Sequence, residues 1–259
     1  MLTKLMKQQY KVKFIEKPNL PEGEVAEVAI AANAKKAIET LASLNVYSYE
    51  IKKNCLLPDP VNYHADLQML HLGNNKILTS SEHLCAGEFN KKFNVVRTEM
   101  ELGNKYPKDV PLNCKIIGNN IFLNRKTISP EILEYAERQA LNIINVNQGY
   151  AGCSICAINE SAIITDDESI FAAAGNFLND VLFVSKGSIR LEGYNYGFIG
   201  GCCGKISRNK LAVNGRIESH KDYKDIIDFT AKHNVEIVEL ADEPLTDIGG
   251  ILPLTETVD

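Results

Sequence analysis

A strand, a capped helix and a second strand recur five times along this chain, at a period of about 40–50 residues that marks repeat architectures. A unit of that size cannot bury its own apolar face, so neighbouring units must stack on one another. In the first unit Val25 to Ala31 reads as a strand. Ala34, Ala37, Ile38, Leu41 and Leu44 then fall at helical spacing behind an Asn33 cap, and Val46 to Ile51 returns. The second unit opens with HADLQMLHL and a strand from Lys76 to Leu78. A short helix capped from Thr79–Ser81 and weakened by Gly87 follows, with Phe93 to Met100 as the return strand. The third has strands at Cys114 to Ile117 and Asn120 to Leu123, then Ser129 as cap with Pro130 at the first helical position, and Leu141 to Val146 returning. The fourth runs from Ala162 through a capping box, Thr165-x-x-Glu168, to a strand at Val181 to Val184. The fifth pairs Lys210 to Val213 with Val235 to Leu240 across a helix that begins near Ser219-x-x-Asp222.

Between the units lie short apolar segments of one kind: HADLQML, PLNCKIIG, GCSICAI, FIGGCCGKI and IGGILPL. An open doubly wound sheet has no use for an extra strand at every junction, and no G-x-G-x-x-G opens any of the helices. The pattern therefore predicts an α/β ring of five units, closed on itself. The 259 residues suffice for a core that needs neither disulfide nor metal. Residues 1–23 read as an N-terminal arm, solvated by Lys4, Lys7, Lys11, Lys13 and Lys17, and 24–259 as a single domain of five repeats. A net charge of −5 without a basic, aromatic-studded stripe argues against a nucleic-acid partner. No apolar run approaches the roughly 18 residues of a membrane span, and no secretory core opens the sequence. Seven scattered cysteines fit free thiols in a reducing compartment, so a cytoplasmic location is expected.

The stretch VNQGYAGCSICAI, residues 146–158, carries the most chemistry. A strand runs into Gly149-Tyr150-Ala151-Gly152 and leaves Cys153 at the crossing into the next strand. Cys202 sits at a similar glycine-flanked crossing. Both are candidate thiols, whereas Cys55, Cys85 and Cys114 read as small buried hydrophobes and Cys156 and Cys203 as strand core. Cys153-x-x-Cys156 with Cys202-Cys203 is a poor zinc set, and no helix follows the C-x-x-C to make it a redox motif, so neither a metal nor a cofactor is expected. In LEGYNYG, Glu192, Asn195 and Tyr196 are either pocket groups or turn residues between Gly193 and Gly197. Asp166-Asp167 reads as helix capping, and His71, His83, His220 and His233 as surface or capping residues.

Five ββαβ-type units in a chain of this length resemble the pentein fold of the guanidino-group-modifying enzymes: arginine and agmatine deiminases, dimethylarginine dimethylaminohydrolase and amidinotransferases. Translation initiation factor 6 shares that plan. VNQGYAGCSICAINESAIITDD and IRLEGYNYGFIGGCCGKIS further resemble a bacterial family of unknown function assigned to this fold. The resemblance implies a central pocket in which a thiolate attacks a guanidinium carbon, a histidine moves protons and carboxylates hold the cation. His64-Ala65-Asp66 is similar to the deiminases' His-x-Asp motif, and the pair would share one face of a strand. Gly249-Gly250-Ile251 is similar to the run that carries their nucleophile, but Leu252 and Pro253 stand where a His-Cys pair belongs, and no cysteine follows Cys203. Two readings stay open. In one, another unit supplies the thiol, Cys153 first and Cys202 second, with His64 as acid–base and Asp66, then Asp247 or Glu192, holding a small guanidino or amidine ligand. In the other, the ring has lost its chemistry and binds a small cationic ligand or a protein partner.

Overall fold

The structure, a computed structural model, describes residues 11–258. Val12–Phe14 forms β1, and the first unit follows with β2 (Val25–Ala31), α1 (Lys35–Ser43) and β3 (Tyr47–Ile51). The second unit contains α2 (Ala65–Gln68), β4 (Met69–His71), β5 (Lys76–Thr79), α3 (Gly87–Lys92) and β6 (Asn94–Arg97). The third contains β7 (Lys115–Ile117), β8 (Asn120–Leu123), α4 (Pro130–Arg138) and β9 (Asn142–Asn145). The fourth contains β10 (Ile155–Asn159), β11 (Ala162–Thr165), α5 (Glu168–Ala174) and β12 (Asp180–Phe183). The fifth contains β13 (Cys203–Ser207), β14 (Lys210–Val213), α6 (Tyr223–Lys232) and β15 (Glu236–Glu239), and β16 (Leu252–Thr257) ends the chain.

Units two to five share one topology. The first strand pairs antiparallel with the second, and the second pairs in parallel with the third across the helix. The first unit has no first strand of its own. β16 supplies it, pairing antiparallel with β2 (Leu252 opposite Ala29), and β1 adds outside β16, with Val12 opposite Thr257. The sheet order β1-β16-β2-β3 thus joins the first and last of the described strands.

Closure also shows in the packing. Each seam between adjacent units has its own apolar cluster. Leu254 and Ala29 meet Met69 and Ile77 at the first seam, and Leu70 meets Ile121 and Ile116 at the second. Phe122 meets Ile155 and Ile163 at the third, and Cys156 meets Leu211 and Val213 at the fourth. The fifth, Ile206 and Leu240 with Val28 and Ile30, links the last unit to the first. An open sheet would leave that seam unfilled. The inter-unit segments picked out by their apolar composition become the inner strands β4, β7, β10, β13 and β16, whose residues are almost all buried. That burial on both faces is why they read as unbroken apolar runs rather than as alternating ones.

Local details differ from the sequence expectations where a side chain found a better partner. The first position before α1 is Ala34, which makes no side-chain cap, so Asn33 does not serve as one. α5 is capped by Asp167, which accepts from the backbone N–H groups of Ser169 and Ile170, and not by Thr165. His71 and His220 are buried, and Cys55 is exposed. Lys4 and Lys7 of the expected arm lie outside the described residues. The part of that arm which is described lies on the ring: β1 joins a sheet, Ile15 is buried, Asn19 donates to Ile116 O and Lys17 pairs with Glu160 at 2.5 Å. Among the described residues no helix is long and apolar enough to cross a membrane.

Candidate active site

The loops entering the inner strands all arrive at one end of the ring. They bring His64 and Asp66 ahead of β4, Asn113 ahead of β7, Cys153 ahead of β10, Phe198 ahead of β13, and Asp247 with Gly249 ahead of β16. A cavity of about 210 Å3 opens there, lined by His64, Cys153 and Asp247 at its polar side and by Tyr150, Tyr194, Tyr196 and Phe198 as aromatic walls. The cavity sets one thiol, one imidazole and one buried carboxyl under aromatic rings, groups whose charge and π faces can hold a flat cation, while Asp66 lies behind the thiol and does not line it.

His64 and Asp66 reach the site by a route different from the expected strand. His64 is the residue before the short helix α2, and Asp66 lies in that helix's first turn, where its backbone N–H donates to Gly249 O at 3.2 Å. Gly249 must be glycine for this fit. Its φ is +74°, and a Cβ there would stand 2.4 Å from His64 Cα. The glycine run that resembles a nucleophile-bearing segment therefore cradles the histidine in this chain.

Asp247 is held on both oxygens. Oδ2 accepts from Phe198 N–H at 2.9 Å and Oδ1 from Gly249 N–H at 3.0 Å, while Oδ1 also lies 3.7 Å from His64 Nδ1. Burial pushes its carboxyl up from the ordinary value. The neighbouring His64 pulls it back and Asp66 adds to the rise. Gly201 and Gly197 make room for it, since a Cβ at Gly201 would lie 2.1 Å from Asp247 Oδ1.

Cys153 is 2% exposed and its Sγ donates to Asp66 Oδ2 at 2.7 Å. Burial, then the charges of Asp66 and Asp247, raise its thiol well above the ordinary range, and only the Asn113 carboxamide acts the other way. Asn113 is a residue that the sequence analysis did not single out. Its Nδ2 donates to Cys153 Sγ at 3.1 Å and to Asp66 O at 3.2 Å, and its Oδ1 accepts from Gly152 N–H at 2.7 Å and Cys153 N–H at 3.2 Å. Asn113 therefore ties the thiol's loop to the loop of Asp66. Asp66 Oδ1 is buried without a hydrogen-bond partner among the described residues, an acceptor left vacant at the thiol.

The remaining candidates separate. Asn195 lines the cavity from the exposed Tyr194–Tyr196 loop. Glu192 is exposed and lines an adjoining cleft that also reaches His64 and Asp247, so it does not face Cys153. Cys202 does not belong to the site. It is fully buried in the seam between the fourth and fifth units, its Sγ donates to Ile199 O at 3.2 Å, and burial raises its thiol. The turn of Gly200–Cys202 aims that side chain into the apolar cluster instead of the cavity. Cys153 and Cys156 likewise part company, the second packing in the same seam.

Asp166, expected as a helix cap, instead accepts from Ile199 N–H at 3.2 Å and holds the loop that carries Phe198. Burial lifts its carboxyl from 3.8 to about 7. A folded-state value above the unfolded one means that stability falls as pH rises from about 4 to about 7 and stays lower above that. Asp166→Asn keeps an acceptor and removes the titration. Its thermal unfolding at pH 8 should exceed wild type by a margin on the order of 1–3 kcal/mol, and the margin should close as pH falls toward 4. A margin independent of pH would show that the gain has another origin.

The chain belongs to the Family of unknown function (DUF6873), whose model matches residues 29–252. No curated protein matches its sequence. In structure it is similar to an amidinotransferase of Microseira wollei from the saxitoxin biosynthetic pathway, with 12% identity and a TM-score of 0.59 over 95% of this chain and 97% of that one. It is similar to the inosamine-phosphate amidinotransferase of Streptomyces griseus, with 11% identity and a TM-score of 0.58 over 97% and 98%. It is also similar to a dimethylarginine dimethylaminohydrolase of Pseudomonas aeruginosa complexed with citrulline, with 8% identity and a TM-score of 0.54 over 91% and 100%. At such identities the likeness shows the fold alone: the ring is a pentein, the five-fold pseudosymmetric α/β propeller of guanidino-group-modifying enzymes.

Proposed function

We propose that this pocket takes a guanidinium or amidinium cation and that Cys153 attacks its central carbon, making the protein a thiol-dependent hydrolase or amidino transferase. The observation that carries the reading is the convergence of Cys153, His64 and Asp247 on one aromatic-walled cavity, with Asp66 hydrogen-bonded to the thiol. Among the described residues no lysine or arginine lines that cavity, so a carboxylate beside the reacting group would find no counter-ion. The favoured substrates are guanidines or amidines on an apolar or aromatic stem, rather than free α-amino acids.

An empty site keeps the thiol protonated, because two carboxyls and burial oppose a third negative charge. Entry of the cation supplies the missing positive charge. Its N–H groups meet Asp247, Asp66 acts on it from behind the thiol, and its face meets Tyr150 and Phe198, which stack with ring centroids 5.7 Å apart. The thiol proton then leaves toward His64 as the C–S bond forms. The tetrahedral adduct collapses by breaking one C–N bond, and the departing amine takes the proton from His64, leaving an S-amidino cysteine. Water or an acceptor amine adds to that carbon while giving a proton to His64, and the C–S bond breaks to return the thiolate, which takes the proton back.

The test is 2-chloroacetamidine, an amidinium with an alkylating carbon. It should add once, at Cys153 by peptide mapping, and guanidinium chloride at millimolar concentration should slow the addition. Exposed Cys55 serves as the internal control. If Cys55 reacts and Cys153 stays unmodified, the nucleophilic role is lost. The thiol held by Asp66 favours one second reading, a pocket that binds cations without turning them over; that reading stands if guanidinium still raises the melting temperature.

A further inference from the structure

The far end of the ring holds a second cavity, of about 500 Å3, where the hairpins of β10–β11 and β13–β14 turn beneath the N-terminal segment. Each of these inner strands runs from the catalytic end to this one, a distance of roughly 15 Å over five residues. Lys205, in the middle of β13, lines the cavity while only 2% exposed. Among the described residues no carboxylate lies within ion-pair distance of it, and its ammonium makes one hydrogen bond, to Arg208 O at 2.8 Å. An ammonium carries three donors, and an unpaired buried cation is costly. Arg208 lines the same space and is likewise without a carboxylate partner among the described residues.

The other charges there are accounted for. Lys17 pairs with Glu160 at 2.5 Å, His233 lies 2.8 Å from Asp180, and Glu22 on the rim lies 3.9 Å from Lys13. The uncompensated positive charge therefore belongs to Lys205 and Arg208, with the Asn209 and Asn234 carboxamides beside them. Burial lowers the Lys205 ammonium to about 8, with the Cys156 thiol acting the other way, so it is still charged at neutral pH.

We propose that this cavity is a binding site for one small oxyanion, a carboxylate or a phosphate, held by the Lys205 ammonium and the Arg208 guanidinium. The site is independent of the reading given to Cys153 and stands whether or not that thiol reacts.

Calorimetric titration of the full chain with inorganic phosphate, and separately with propionate, tests it at constant ionic strength set by chloride. Saturable one-to-one binding of at least one of the two is expected, and the one that binds identifies the oxyanion. Lys205→Met, which keeps the volume, should weaken that binding at least tenfold. Arg208→Gln should do the same in part, and it covers the case in which the core variant fails to fold. Binding by neither anion overturns the proposal, as does unchanged affinity in every variant that folds.

Discussion

A chain ended after Ile251 should lose cooperative unfolding altogether. The removed segment contains β16, the strand between β1 and β2, and with it the inner strand of the first unit. Leu252 and Leu254 are buried at the first seam, and exposing them forfeits on the order of 1.5–3 kcal/mol each. Glu256, whose Oε2 accepts from the backbone N–H groups of Glu22 and Gly23 at 2.6 and 2.7 Å, goes too, and β1 loses its partner. These losses, together with an opened β2 edge, match a whole stability margin of about 5–15 kcal/mol. Far-ultraviolet circular dichroism and a thermal melt would report them. A truncated chain that still melts in one sharp transition, within a few degrees of the parent, would mean that the ring does not depend on this strand.

Asp66→Asn should reverse the reagent preference of Cys153. The carboxylate lies 2.7 Å from Sγ and is, after burial, the largest cause of the raised thiol. Asparagine keeps the shape and removes the charge. The thiol should come down toward its ordinary range, so iodoacetamide, which is neutral, should react at least about tenfold faster at pH 8. Chloroacetamidine gains from the same thiolate but its cation loses a counter-charge, so its rate should change little. The ratio of cationic to neutral rates should thus fall by about tenfold or more. Two rates that shift together would assign the effect to access rather than to charge, and Asp66 would then be a structural ligand of the thiol loop.

The parts legible in the sequence are those set by local pattern. The five inner strands announced themselves because burial on both faces demands unbroken apolar runs, as in ICAI, Ile155 to Ile158. Ser129 before Pro130 marked a helix start that the structure keeps, whereas the helix expected from Ser219-x-x-Asp222 begins at Tyr223, after Ser219 has closed a separate turn. What stayed hidden depends on contacts across units. Cys153 and Cys202 carry the same glycine flanks, yet only one faces the cavity, and the difference lies in a turn of Gly200–Cys202 that no spacing rule records. Asn113 carries no local signal, because its four hydrogen bonds reach residues 39–47 positions away along the chain. Asp166 and Asp167 are adjacent carboxylates with unlike duties, one local and one bound to a loop that only the fold brings near.

The pairing of β16 with β2 also has a consequence in time. On the ribosome β2 emerges before β16 and before every described strand between them, so the nascent chain carries an unpaired β2 edge until β16 follows. The intervening four units can assemble on their own local contacts meanwhile. Ring closure is then a single event that waits for one short strand to dock.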